Sequence, residues 1–204
     1  LCHTLGVDRA WLLAHPDTPL SAGQAATFAD LVAARARRQP VAYLTGHREF
    51  YGLDFCVTPA VLVPRPETEH LVERAIAVAR AWRARRHRWP RTVEVGVGSG
   101  AIAVSLAHTL PTLMVTGIDA SPDALAVATA NARRHHVAER VRLVEGDLLS
   151  PLPGTADLVL ANLPYIPSAD LDGLAPEVHA EPRLALDGGP DGLDIFRHLF
   201  AQTP

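Results

Sequence analysis

From Thr92 onward the chain alternates short apolar runs with helix-patterned segments. Val93-Glu94-Val95 is a predicted strand, Gly96-Val97-Gly98-Ser99-Gly100 a loop, and Ala101 to Leu110 a helix. Leu113 to Ile118 is the second strand, ending at Asp119. Ser121 then caps a helix with Pro122 in its first turn. Val141 to Val144, ending in Gly146-Asp147, and Leu158 to Ala161 complete the series. Strands separated by helices require right-handed crossovers, which predicts an α/β fold built on a doubly wound parallel sheet.

The part before Thr92 reads differently. Residues 1–45 are predicted to form a small helical domain. Val7 to Ala14 and Ala25 to Arg38 carry apolar residues at helical spacing around a His15-Pro16-Asp17-Thr18-Pro19 turn. Ser21 and Gln24 stand at capping-box spacing. Residues 46–63 change period: Phe50-Tyr51-Gly52-Leu53-Asp54-Phe55-Cys56-Val57 predicts a hairpin connector. The third segment, 64–204, opens with Pro64-Arg65-Pro66-Glu67-Thr68-Glu69. Pro66 and the two acids suit the start of a helix. Its apolar face is Leu71, Val72, Ala75, Ile76, Ala79 and Trp82, and Trp89-Pro90 is its expected end.

Several function classes are excluded or disfavoured. No run of about 18 apolar residues is present, so no membrane span is expected. No basic stretch precedes an apolar one as in a signal peptide. Cys2 and Cys56 form no CxxC pair and read as free thiols of a cytoplasmic protein. Ten histidines show no ligand spacing with a third partner, and His87, His135 and His136 read as solvated helix ends, so no metal is expected. Residues 1–90 carry twelve Arg and eight acids, a charge of +4, against seven and fourteen, −7, in residues 91–204. The basic half can attract an anion such as RNA, but the run from Arg80 to Arg88 reads better as a solvated helix face. Direct nucleic-acid binding is therefore not expected. All nineteen basic residues are arginine, for which we have no physical account.

Two stretches carry chemistry. The glycines at 96, 98 and 100 let the backbone turn tightly and approach a ligand, and the following helix offers unpaired N–H groups. Asp119, about twenty residues on, is placed for ribose hydroxyls. This is the pattern of a nucleoside-cofactor site. Gly96, Gly98 and Ala101 also fit the dinucleotide form GxGxxA. Glu94 inside the first strand and Asp147 at the end of the third argue against a dinucleotide. The second stretch runs from Asp157 to Ile166. Leu158-Val159-Leu160 is a buried strand, after which Asn162 puts an amide at its carboxyl end, Pro164 stops the ladder and Tyr165 adds an aromatic face. Such an edge suits a planar, hydrogen-bonding group.

Asn162-Leu163-Pro164-Tyr165 resembles the (N/D)PPY motif of amino-group methyltransferases. Arg48-Glu49-Phe50-Tyr51-Gly52, Pro64 to Glu69, and Glu181-Pro182-Arg183-Leu184-Ala185-Leu186-Asp187-Gly188-Gly189-Pro190-Asp191-Gly192-Leu193 are similar to stretches of the HemK/PrmC family. Those enzymes use S-adenosylmethionine to methylate the glutamine of the Gly-Gly-Gln loop in peptide-chain release factors. The resemblance implies a Rossmann-like methyltransferase sheet acting as a cytoplasmic monomer on a release factor. It implies a cofactor site of Glu94, Gly96, Val97, Gly98, Ser99, Gly100, Asp119, Asp147, Leu148 and Asn162. It places Asn162, Leu163, Pro164 and Tyr165 at the catalytic and substrate site, with Tyr165 packed on the amide plane.

An amide nitrogen is a weak nucleophile, so the expected mechanism is orientation rather than base catalysis. Asn162 Oδ1 and the Leu163 carbonyl would each accept one N–H, aiming the nitrogen and steadying the positive charge that develops on it. The family has proline at the position of Leu163. Proline would fix φ near −65°, so Leu163→Pro is expected to stabilise the loop if the native φ is already near that value, and to destabilise it if the Leu163 N–H is hydrogen-bonded. The family also continues beyond residue 204, so the chain reads as incomplete at both ends, with the last sheet strands missing. Two alternatives remain open: an adenine amino-methyltransferase acting on nucleic acid, and a non-catalytic S-adenosylmethionine-binding remnant.

Overall fold

The computed structural model describes residues 1–203; Pro204, with which the 64–204 segment ends, lies outside the described residues. Four helices come first: α1 Cys2–Leu5, α2 Arg9–Ala14, α3 Ala22–Ala36 and α4 Val41–Thr45. Helix α2 starts later than the apolar spacing suggests because Asp8 caps it, accepting Trp11 N–H at 2.6 Å. Helix α3 starts at Ala22, directly after the expected Ser21 cap and ahead of the apolar spacing that begins at Ala25. Its capping box is complete, with Gln24 N–H on Ser21 Oγ and Ser21 N–H on Gln24 Oε1. Helix α4 is too short for periodicity to reveal, and Gly46 ends it at φ 74.

The hairpin pairs β1 His47–Phe50 with β2 Leu53–Cys56. Its turn residues Tyr51 and Gly52 both take positive φ, 53 and 73, as a two-residue turn matched to strand twist requires. Phe50 and Phe55 bury their rings edge to face. A 3-10 turn at Pro66–Thr68 leads into α5 Glu69–Arg86. Helix α5 buries Val72, Ala75, Ile76 and Ala79 and ends before Trp89, where His87 turns to φ 55.

The remaining elements are β3 Thr92–Val95, α6 Ala101–Thr109, β4 Val115–Asp119, α7 Pro122–Arg134, β5 Val141–Glu145, β6 Leu158–Ala161 and α8 Asp194–Ala201. The strands form one parallel sheet in the order β5-β4-β3-β6. Side chains alternate across it. On one face α5, α6 and α7 share a core that takes in Val115 and Leu160. On the other, Val93, Val95 and Ile118 pack with Leu148, Leu163 and Leu199 of α8. The central strand β3 is buried throughout, which explains its apolar run. In the edge strand β6 only Leu160 is buried and Leu158 and Val159 are half-buried, because no strand among the described residues pairs on its far side.

Three arginines of the run after Arg80 find partners on the protein itself: Arg83 lies over Trp89, Arg86 over Trp82, and Arg88 reaches Asp157, 69 residues on, at 2.7 Å. His135 departs from the expected solvated helix end. Its ring tilts against Phe55, and Nε2 lies 2.9 Å from the Asp54 carbonyl, tying α7 to the hairpin. Among the described residues no group of three side chains has the arrangement of a metal site. Cys2 and Cys56 are unpaired. No helix is long and apolar enough to cross a membrane.

Candidate functional site

Strand register builds the site. Val95 is level with Ile118 on one side and Ala161 on the other, and Asp119 with Glu145. The residues that follow, Gly96, Asn162 and Gly146-Asp147, therefore leave the sheet at one edge beside Asp119. They surround a cavity of about 210 Å³. Its wall includes Glu94, Gly96, Val97, Gly98, Ser99, Asp119, Asp147, Leu148, Asn162, Leu163 and Pro164. Two residues expected at the site lie outside that wall. Gly100 is the N-cap of α6 at φ 80, where a Cβ would come 3.2 Å from Ala128 Cβ. Its job is to let α6 and α7 approach. Tyr165 is 64% exposed beyond the mouth of the cavity.

The glycine loop is held from three directions. Gly96 and Val97 donate to the Ile118 carbonyl, fixing the loop to β4. Asp119 divides its carboxylate, one oxygen accepting Gly98 N–H at 2.8 Å and the other Ser121 N–H at 2.9 Å. It thus fixes the loop and the start of α7 together, and each oxygen keeps a further lone pair. Asn131, fully buried on α7, donates to the Ser99 and Cys56 carbonyls and accepts Cys56 N–H. Space above Gly98 is open, since a Cβ there would meet nothing within 4 Å. The loop is a cradle for a ligand that approaches the backbone closely.

Glu94 is buried, 1% exposed, although it is an acid inside a strand. Helix α6 has a glycine N-cap and no capping side chain of its own. Glu94 supplies the missing acceptor: its Oε2 takes Ala103 N–H in the first turn at 2.7 Å. Burial pushes its carboxyl well above the usual carboxylate range, against the lowering effect of that hydrogen bond, and the nearby Asp119 charge adds to the rise.

On the facing wall the Asn162 amide donates from Nδ2 to Thr68 Oγ1 at 3.3 Å. No donor among the described residues reaches Asn162 Oδ1 or the Leu163 carbonyl, so two acceptors stand free at the strand end. Leu163 is 4% exposed and packs under the sheet. Its Cδ2 lies 3.1 Å from the position of a Cβ on Gly96, so the leucine also props the glycine loop. Its N–H has no protein partner among the described residues. Past Pro164 the chain pairs with the segment Leu186–Gly188, Ile166 N–H donating to Leu186 O and Gly188 N–H to Ile166 O. Asp187 steadies that segment by accepting the Ser168 hydroxyl, and this bond holds its carboxyl below the usual range.

Sequence reasoning missed the clamp on the third wall. Arg65 bonds the buried Glu181 at 2.6 Å, and the other Glu181 oxygen accepts Val63 N–H. Arg65, Thr68 and Leu184 all line the cavity. Glu181 and the turn at Pro64 lie in the stretches that carry the family resemblance, but no spacing rule links them.

The comparisons agree with this architecture. Residues 1–46 match the PrmC N-terminal domain family, and residues 93–181 match the Methyltransferase domain family. The release factor glutamine methyltransferase of Geobacter sulfurreducens is 48% identical over all of this chain and 69% of its own length. That of Moorella thermoacetica is 50% identical over 94% of this chain and 66% of its own length. The chain thus spans about two thirds of these relatives. The hMettl16 catalytic domain, solved with a MAT2A 3'UTR hairpin, has the same fold at a TM-score of 0.57, 16% identity and coverage of 75% of this chain and 57% of that one.

Proposed function

The chain belongs to the release factor glutamine methyltransferase family, and from that membership and the cavity we propose that it transfers a methyl group from S-adenosylmethionine to a glutamine side-chain nitrogen. The substrate in this reading is the Gly-Gly-Gln loop of a peptide-chain release factor, met by a cytoplasmic monomer. What carries the reading is the pair of free acceptors, Asn162 Oδ1 and Leu163 O, across one cavity from the glycine loop.

The residues present suit the cofactor. The open cradle at Gly98 and Ser99 would take its amino-acid part, Asp119 would offer lone pairs to ribose hydroxyls, and Asp147 and Leu148 would lie beside the base. When bound, the sulfonium supplies an electrophilic methyl group and a leaving sulfur. The protein supplies aim. Asn162 Oδ1 and Leu163 O each accept one N–H of the substrate amide, which fixes its nitrogen on the line of transfer. Both oxygens also offset positive charge as the new C–N bond forms and the S–C bond breaks. One N–H proton then leaves to solvent, so no general base is required before transfer. Tyr165, exposed beside Pro164, would pack on the amide plane.

The test is incubation with methyl-labelled S-adenosylmethionine and a purified release factor, followed by mass spectrometry. One added methyl on the loop glutamine is expected. Label on nucleic-acid adenine, or cofactor binding with no transfer to any substrate, would replace this reading.

A further inference from the structure

We propose that Thr68 is a positioning residue for the transfer, its hydroxyl holding the Asn162 amide by Nδ2 so that Oδ1 stands toward the reacting nitrogen; this rests on the amide-transfer reading above. An asparagine amide has two ends of nearly equal shape and opposite hydrogen-bonding character. Only its oxygen can accept an N–H from substrate. Its NH₂ would meet the substrate nitrogen donor to donor. Asn162 Nδ2 lies on Thr68 Oγ1 at 3.3 Å, and both residues line the cavity. Occupying the nitrogen end leaves Oδ1 as the free end. The site then favours a group that brings N–H bonds over one that brings only acceptors.

The hydroxyl is itself held in place. Thr68 N–H donates to the Arg65 carbonyl at 3.0 Å. Arg65 is pinned by Glu181 at 2.6 Å, and Glu181 also takes Val63 N–H at 3.1 Å. On the other side, Glu69 Oε1 accepts Tyr51 N–H from the hairpin turn at 3.1 Å. Thr68 sits between two anchors, so its hydroxyl is a fixed point against which a side chain on β6 can be oriented. A side chain held by such a contact is preorganised, and a small misplacement of the clamp lowers the rate rather than cofactor binding.

The experiment compares Thr68→Val, which keeps the shape and removes the hydroxyl, with Thr68→Ser, which keeps the hydroxyl. The valine variant should lose roughly 10- to 100-fold in kcat on the release factor, with S-adenosylmethionine affinity changed less than about twofold, and the serine variant should keep most of the rate. A valine variant within about threefold of wild type, or a serine variant as slow as the valine one, overturns the proposal. A second measurement needs no substrate. The Asn162 side-chain NH₂ signals, identified by their loss in Asn162→Asp, should show one proton slowed in solvent exchange in wild type and not in Thr68→Val. Identical exchange in both proteins overturns the contact. If wild type transfers no methyl group to the release factor, the functional reading fails while the NH₂ measurement still judges Thr68.

Discussion

On the glycine-loop wall, Asn131, Asp119 and Glu94 all hold backbone groups: the Ser99 carbonyl, Gly98 N–H and Ala103 N–H. On the facing wall, one 3.3 Å contact from Thr68 holds the Asn162 amide, and Tyr165 stands in solvent. The first wall is held in place without a ligand because its polar side chains bond the backbone, while Asp119 keeps a further lone pair on each oxygen. The second keeps its acceptors free for a substrate. A site of this kind should bind cofactor on a rigid surface and lose rate, rather than affinity, when the facing wall is disturbed.

Asn131→Ala attacks the rigid wall hardest. It leaves the Ser99 and Cys56 carbonyls and Cys56 N–H without partners in the interior. Each stranded group costs about 1–3 kcal/mol, so a stability loss of at least about 3 kcal/mol is expected in denaturant melts, with weaker cofactor binding. A loss below about 1 kcal/mol would mean the loop is held by something else.

Asp119→Ala comes next. Removing charge-assisted hydrogen bonds to ribose should weaken S-adenosylmethionine binding by about 1.5–3 kcal/mol. The structure adds a cost, because Gly98 and Ser121 lose their acceptor as well. Calorimetric titration giving wild-type affinity would remove Asp119 from the cofactor site.

Leu163→Pro sharpens the comparison on the facing wall. Its N–H has no partner to lose, so the entropic gain of about 0.4–1 kcal/mol is open to proline where the native φ of residue 163 is near −65°. The buried side chain changes the balance. Truncating a packed leucine toward alanine costs about 2–5 kcal/mol, and proline restores only part of that volume. The sequence alone favours a gain; the packing under Gly96 predicts a net loss of about 1–2 kcal/mol. Turnover should stay close to wild type, since residue 163 keeps its carbonyl. A large fall in turnover at unchanged stability would show that the backbone here is not the clamp.

The smallest effect is a pH dependence. Burial raises the Glu94 carboxyl above its unfolded value. The stability it contributes is then fully present below about pH 4.3, the ordinary glutamate value, and is lost as pH rises toward the raised folded value. Glu94→Gln keeps an acceptor for Ala103 N–H and has no proton to lose. Its melting temperature should gain on wild type as pH goes from acid to neutral. Parallel curves would mean that the Glu94 carboxyl titrates alike in the folded and unfolded chains.

What the sequence made legible follows the range of the interactions. The hairpin and the Ser21 and Ser121 caps rest on neighbours a few residues apart. The strand–helix alternation that implies the parallel sheet is a local pattern too, even though its strands pair across tens of residues. The structure contains all of them. Short or capped ends moved: α4 is five residues long, and α2 begins where Asp8 caps it. The glycine loop was visible as a pattern, but not the division of labour inside it, in which Gly100 packs against Ala128 and leaves the ligand side to its neighbours. Thr68, Asn131 and Glu181 were not visible as site residues, because their partners lie 94, 75 and 116 residues away in sequence. A threonine at a helix start or an asparagine inside a helix gives no local sign of such a contact.

The division between the two walls is tested most directly at Asn162. Asn162→Ala removes an acceptor that holds no other part of the protein up, so S-adenosylmethionine affinity by calorimetry should stay within about twofold of wild type. Single-turnover transfer to a release factor should fall by roughly 100-fold or more, as for loss of one orienting hydrogen-bond group in a preorganised site. A fall in transfer of less than about threefold, or a loss of cofactor affinity that matches the loss of rate, would contradict the account.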